Sequence, residues 1–398
     1  MKDSDQKNVY IVSACRTAIG EFGGGFRDVR ADDLSVAVAQ EAVRRAGIEK
    51  GWVEDIIWGE CHQQLDQSNT ARVMAMKAGF PKEVPGVTIS KVCTSAMRAI
   101  IFGTQMIRLG DADIILAGGV ESMSSAPYAL RTARWGQRLQ HGVMADTVWE
   151  GFTCAIAKTL MGRTAENLVE KYNISRQDQD EIALRSQQNA CDAIAQGRFK
   201  QEIVPVSVPQ KKGPPKIIDT DEHPRPGLTM NDLSNLPPVF KEGGTVTAGN
   251  ASGINDGAAA VILMSGDKVK ELGVKPMAKV VSYSVAAVEA HLMGYGPVPA
   301  TQKILKQTGL TFDQIDLIEV NEAFAAQYLT VERLLGLPRE KTNVNGSGIA
   351  LGHPVGCTGA RITVTLLHEM IRRDSKRGLA TLCGMGGVAT AIVIERDS

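Results

Sequence analysis

The sequence predicts an α/β protein made of two similar halves, with a further segment inserted into the first. Three observations predict it. Short apolar runs alternate with stretches of helical period, which implies mostly parallel, buried strands between helices. The order of elements then repeats roughly 265 residues further along, as in a duplicated βα unit. GIEKGWVEDIIWGECHQQ (47–64) resembles GLTFDQIDLIEVNEAFAAQ (309–327). VTISKVCTSAM (87–97) is matched by TNVNGSGIALGHP (342–354), and LGDADIILAGG (109–119) by RGLATLCGMGG (377–387). Third, residues 124–249 interrupt the pattern with the turn-rich runs KKGPPK, DEHPRPG and NLPP. The chain thus divides into a first half (1–123 and 250–275), an insertion (124–249) and a second half (276–398).

Taken in order, residues 9–14 read as a buried strand, followed by Arg16-Thr17-Ala18-Ile19-Gly20 and a turn at Gly23–Gly25. Asp32 or Asp33 is placed to cap a helix to about Ala46, which Gly47 stops. Residues 53–58 lead into the next strand, and a helix over 70–78 ends at Gly79-Phe80-Pro81. A short strand at 86–92 is followed at once by Cys93, then by a helix over 95–109 that Gly110 stops. A strand at 113–117 ends in Gly118-Gly119. One amphipathic helix is expected in the insertion, over 176–197, and residues 248–264 return to the first half as a buried strand. In the second half a strand at 343–345 enters a glycine-rich turn. A helix leaves it from about Val355, with Ile362, Leu366 and Met370 on one face.

Composition narrows the function. Lys and Arg number 44, Asp and Glu 44, so no global charge attracts nucleic acid or an anionic membrane, and a polyanionic ligand needs a local cation. No apolar run approaches the roughly 18 residues of a membrane span. The polar N-terminus MKDSDQKN has no signal core. Seven scattered cysteines without C-x-x-C support neither a disulfide framework nor a metal site, and a cytoplasmic protein is expected.

Four polar groups fall where the repeat places strand ends: Cys93, Asn321, His353 and Cys383. Ligands of α/β folds gather at the carboxyl ends of strands, so these four are expected to converge. His353 sits between Gly352 and Pro354 at a junction into a helix, a good place for a general base. A thiol ionises near pH 8.5, and at a helix N-terminus the dipole favours the thiolate at Cys93. The glycines after Cys383 leave amide N–H groups open to an oxyanion. Two thiols and an imidazole suit two-step acyl transfer: one thiolate attacks a thioester and carries the acyl group, the other moves a proton at carbon.

Several motifs together resemble the thiolase family, over essentially the whole chain. They are VCTSAMRAI (92–100), AGGVESMSSAPY (117–128), MGRTAEN (161–167), TAGNASGINDGAAA (247–260), MGYGP (293–297), NEAFAAQ (321–327), GSGIALGHPVGCTGAR (346–361) and the Cys383 turn. The resemblance implies a five-layered αβαβα fold of two βαβαβαββ halves with an inserted loop domain. It implies an acetyl-CoA acetyltransferase that condenses two acetyl-CoA to acetoacetyl-CoA and CoA, and reverses this by thiolysis. CoA is then substrate and product, with no resident cofactor or metal. Cys93 resembles the acylated nucleophile, His353 its base, Cys383 the acid/base at the α-carbon, and Asn321 the holder of an oxyanion-hole water. Ser252 resembles a pantetheine contact. Met161, Phe240, Ala248, Ala323 and Met293 resemble the acyl and pantetheine lining. Arg225 lies where the family meets the nucleotide end of CoA. The resemblance gives the Cys93 backbone N–H part of the second oxyanion hole; at the spacing of the Gly that completes it stands Met385, with Gly384 adjacent. RTARWGQRLQHG (131–142) lies where tetrameric members place an assembly loop, so a homodimer or homotetramer is expected.

Three positions depart from the pattern. Leu160 stands where the short-chain biosynthetic type has His. The C-x-G-G-G-M-G turn is shortened to CGMGGVA (383–389). Pro299-Ala300-Thr301 leans back toward the biosynthetic type. A degradative thiolase for longer 3-ketoacyl chains is the neighbouring alternative. A weakly active CoA- or lipid-binding homologue is the alternative of another class.

Overall fold

The computed structural model of the protein describes residues 8–397. In the first half, strand β1 (Val9–Thr17) leads to helix α1 (Ala31–Ala46), strand β2 (Asp55–Gly59), helix α2 (Thr70–Lys77), strand β3 (Val87–Ile89), helix α3 (Ser95–Leu109) and strand β4 (Ile114–Ser122). The following segment carries helices α4 (Met161–Tyr172) and α5 (Arg176–Ala195). Strand β5 (Asn255–Ser265) then rejoins the first sheet. The second half runs β6 (Ala278–Ala287), α6 (Pro297–Thr308), β7 (Leu317–Val320), α7 (Ala325–Leu335), α8 (Val355–Arg373), β8 (Arg377–Gly384) and β9 (Val388–Glu395).

The strand order repeats with the sequence. The first sheet runs β3-β2-β4-β5-β1 and the second β6-β9-β8-β7. The two meet edge to edge where Tyr10 and Ile11 of β1 face Lys279 and Ala278 of β6. Each strand sends alternate side chains to opposite layers, as a period of two requires. Ile56 and Trp58 of β2 face α1, whereas Ile57 faces α3. Leu379 of β8 joins the cluster around α6 and α7, whereas Ala380 and Leu382 face α8. The helices α3 and α8 pack on each other between the sheets, giving five layers. Glycines permit this close stack. A Cβ on Gly119 would lie 2.6 Å from the Gly356 carbonyl oxygen and 2.8 Å from the Ala96 Cβ, and one on Gly359 would overlap the Met97 amide.

Four expectations need correction. The strands are not mostly parallel: β2–β3, β2–β4 and β7–β8 pair in parallel, as does β1 with the short strand Ile203–Val204, whereas β4–β5, β5–β1, β8–β9, β9–β6 and β1–β6 are antiparallel. Strands covered by helices on both faces read as continuous apolar runs whichever way they point. Gly118-Gly119 do not end a strand; they lie inside β4, where α8 comes close. Residues 343–345 form no strand. Asn343 is left-handed (φ 49°), and its amide side chain accepts from Val320 N–H at 2.8 Å and donates to the Val320 carbonyl at 2.8 Å. Finally, the N-cap of α1 is Arg30 without a side-chain cap; Asp32 and Asp33 lie in the first turn, where their charge favours the helix N-terminus.

Candidate active site

Cys93 sits on a strained elbow between β3 and α3. Val92, a β-branched residue, has φ 47°, a region such side chains rarely enter. The elbow is held from below. Lys91 N–H donates to Ser95 Oγ (2.8 Å), Ser95 Oγ donates to the Val92 carbonyl (2.6 Å), and Thr94 Oγ1 donates to the Lys91 carbonyl (2.8 Å). Cys93 lies against a small apolar group of Met123, Val148 and Val355, the last being two residues beyond His353.

The turn after Cys383 closes over the same elbow. A Cβ on Gly384 would lie 2.9 Å from Val92 Cγ2 and 3.4 Å from Thr94 Cγ2. Only Met385–Gly387 join β8 to β9, and Gly386 (φ 81°) and Gly387 (φ 86°) turn the chain through conformations open to glycine. Gly384 is held in register with Val388, and the backbone N–H groups of Met385 and of Cys93 itself both favour the Cys93 thiolate. Cys383 is buried, and the Cys93 sulfur is close enough to act on its charge.

His353 is held at both ends. Its N–H donates to Asn255 Oδ1 (3.0 Å), and Asn255 Nδ2 donates to the Gly20 carbonyl (2.9 Å). Its ring Nδ1 lies 2.7 Å from Thr358 Oγ1, which itself donates to the Pro354 carbonyl at 2.9 Å. A hydroxyl has one proton, and a carbonyl only accepts. Thr358 therefore receives a proton from Nδ1, and Nε2 keeps its lone pair. Nε2 faces Asn321 Nδ2 at 3.5 Å. Asn321 continues from β7, its N–H donating to the Thr381 carbonyl (3.1 Å). Its Oδ1 is buried with no partner among the described residues, pressed against Gly348, where a Cβ would lie 2.7 Å away.

The electrostatics correct one expectation. Burial pushes the Cys93 thiol up to about 11, although the N–H groups of Met385 and Cys93 pull it down. Desolvation outweighs the helix dipole, so Cys93 rests as a thiol. Burial, then the Cys93 charge, raises Cys383 far above an ordinary thiol. Burial, then the Arg361 guanidinium, lowers His353 to about 3. The resting site therefore holds two neutral thiols and a neutral imidazole.

Around it, Met161, Met293 and Ala323 are buried in the cluster that contains Cys383, with Phe240 packed against it. Phe240 covers Gly162 and meets the Phe324 ring edge-on at 6.1 Å. Ser252 is half-buried, its N–H donating to the Ala323 carbonyl at 3.0 Å. Arg225 and Ala248 are exposed, outside that cluster; Arg225 is tied down by its N–H to Gln187 Oε1 (2.9 Å). Three polar residues escaped the sequence reading. Thr358 and Asn255 fix the imidazole, and buried Glu121 accepts from the N–H groups of Cys61 (3.2 Å), His62 (2.9 Å) and Gly356 (2.8 Å). Only Thr358 left a signal, a hydroxyl five residues after the histidine in the same motif.

Known proteins share this fold. The chain matches the thiolase N-terminal domain family over residues 9–267 and the thiolase C-terminal domain family over residues 274–396. It is 52% identical to an acetyl-CoA acetyltransferase of Syntrophomonas wolfei over 98% of this chain and 99% of the relative. The crystal structure of a Bacillus anthracis acetyl-CoA acetyltransferase superposes with a TM-score of 0.97 at 51% identity, covering 99% of this chain and 100% of that one. The structure of human mitochondrial 3-ketoacyl-CoA thiolase in complex with CoA gives 0.95 at 43% identity, over 98% of each chain. With both halves matched and identity sustained end to end, this chain belongs to the thiolase family.

Proposed function

We propose that the protein is an acetyl-CoA C-acetyltransferase that works through an acetyl-Cys93 intermediate. The observation that carries the reading is the meeting of the Cys93 elbow with the Cys383 turn, Gly384 lying against Val92 and Thr94 on either side of Cys93. The Cys93 thiol passes its proton to Nε2 of His353 as its sulfur attacks the acetyl carbonyl of acetyl-CoA. The C–S bond to CoA breaks, and the CoA thiolate leaves with the proton of the Cys383 thiol, while His353 keeps that of Cys93. A second acetyl-CoA then loses an α-proton to the Cys383 thiolate. Its enolate oxygen is met by Asn321 and His353, and its carbanion displaces Cys93 to give acetoacetyl-CoA; the Cys93 thiolate then regains its proton from His353. Because the thiols rest neutral, each thiolate forms only as its proton is taken. Thiolysis runs these steps backwards.

The CoA arm is assigned to Ser252, Met161, Met293, Phe240, Ala248 and Ala323, and its nucleotide end to Arg225 and the exposed surface beside it. All seven cysteines are unpaired, which fits a reducing cytoplasm, and no helix among the described residues is long and apolar enough to cross a membrane. Homo-oligomerisation is supported by the insertion. Trp135 (87%), Leu139 (85%), Val143 (77%) and Met144 (68%) are exposed together on one loop, as an interface requires. Rates of thiolysis against a ladder of 3-ketoacyl-CoA lengths test the substrate. Acetoacetyl-CoA preferred over longer chains supports the reading; longer chains preferred overturn it in favour of a degradative thiolase.

A further inference from the structure

A cavity lies away from the proposed catalytic residues, at the seam between the two sheets. Strand β1 touches β6 only at Tyr10 and Ile11, and is next joined at its far end, where Arg16 and Thr17 pair with Ile203 and Val204. Between these contacts the edge of β1 is left open. A cavity of about 440 Å³ occupies the notch, with Val12 and Met277 at its apolar base.

Its charge is one-sided although the chain as a whole is neutral. Arg44, Arg45, Lys200 and Lys275 face it, with Glu41 as the one carboxylate. Glu41 is already shared: Arg44 holds both its oxygens (2.6 and 2.7 Å) and Arg45 Nε reaches it at 2.7 Å. Arg45 is aimed and fixed by a second bond, from Nη1 to the Gln201 carbonyl (2.6 Å). Its Nη2 has no partner among the described residues, and neither the Lys200 nor the Lys275 ammonium makes an ion pair or hydrogen bond there. His368 on the wall is committed through Nε2 to the Ala14 carbonyl (3.0 Å), and burial keeps it from gaining charge.

These cations come from three parts of the chain: the last turn of α1, the insertion just before Ile203, and the segment leading into β6. An arginine held open by its neighbours and two uncommitted lysines around a concave wall recognise a compact polyanion. We infer that this cleft is a second binding site, distinct from the proposed CoA site, for a small phosphate-bearing anion. The bound anion bridges α1, the insertion and the segment that leads into β6 across the open edge of β1, and so stabilises the fold.

The test uses the full chain with inorganic pyrophosphate as probe, read by thermal unfolding and by isothermal titration calorimetry. Millimolar pyrophosphate raises the unfolding midpoint by about 2 °C or more over sodium chloride of equal ionic strength. K200E/K275E loses this rise, whereas R225A, altered at the proposed CoA site, keeps it. If K200E/K275E unfolds early without ligand, K200Q/K275Q replaces it. A rise matched by chloride, or one kept by the lysine variants and lost in R225A, overturns the inference.

Discussion

His353 shows how much of a catalytic side chain is decided by its neighbours. The Gly-His-Pro sequence marks the position, but the base is made by Thr358, whose hydroxyl proton is spent on Pro354 and whose oxygen takes Nδ1–H. Thr358→Val removes that acceptor and frees the ring to adopt the other tautomer, so kcat is expected to fall at least about tenfold. Thr358→Ser restores it and both variants keep the wild-type unfolding midpoint; equal kcat in all three contradicts the tautomer argument. Thr358 was hard to read from the sequence because one helical turn, not spacing alone, carries it under the ring. Cys93 gives a second prediction. Its thiol is pushed up to about 11, so its thiolate is a growing minority throughout the neutral range. The alkylation rate of Cys93 by iodoacetamide should rise about tenfold per pH unit up to pH 9 without levelling off. A plateau near pH 8 means an ordinary or activated thiol. The dipole expectation failed here because a chain without tertiary contacts does not show how dry the elbow becomes.

Helices α3 and α8, which pack on each other, begin just after Cys93 and His353. Both were legible: α3 from its apolar period and Gly110, α8 from Ile362, Leu366 and Met370. Their closeness was not, since a glycine in a run such as IILAGGV looks like punctuation until another helix is seen against it. Gly359→Ala places a methyl in the Met97 amide, and overpacking at such a contact costs about 1–3 kcal/mol. Urea unfolding should show that loss together with reduced acetyl transfer, because the strain falls between the two helices that carry the proposed nucleophile and base. Unchanged stability means the helices are not held by this contact. Strand direction was equally hidden. The β8–β9 pair is antiparallel because three residues connect it, yet the apolar runs AAAVILM and LIEV differ in nothing that reports direction.

At the scale of the molecule the duplication was legible and its junction was not. Matching segments in the two halves predicted equivalent β2 and β7, and β4 and β8; nothing predicted that β1 and β6 would join the sheets through two residue pairs. The proposed association of whole chains rests on the exposed Trp135, Leu139, Val143 and Met144. L139D/V143D is expected to lower the mass seen in sedimentation without loss of secondary structure, and an unchanged mass moves the interface elsewhere. The central claim is that a thiol from the first half and a thiol and an imidazole from the second serve one thioester. It is tested most directly by incubating the enzyme with isotopically labelled acetyl-CoA and mapping the label by peptide mass spectrometry. One acetyl group on Cys93 is predicted in the wild type and in Cys383→Ser, with condensation lost in the latter and no label in Cys93→Ala. Label on another residue of Cys93→Ala, with turnover intact, would contradict it.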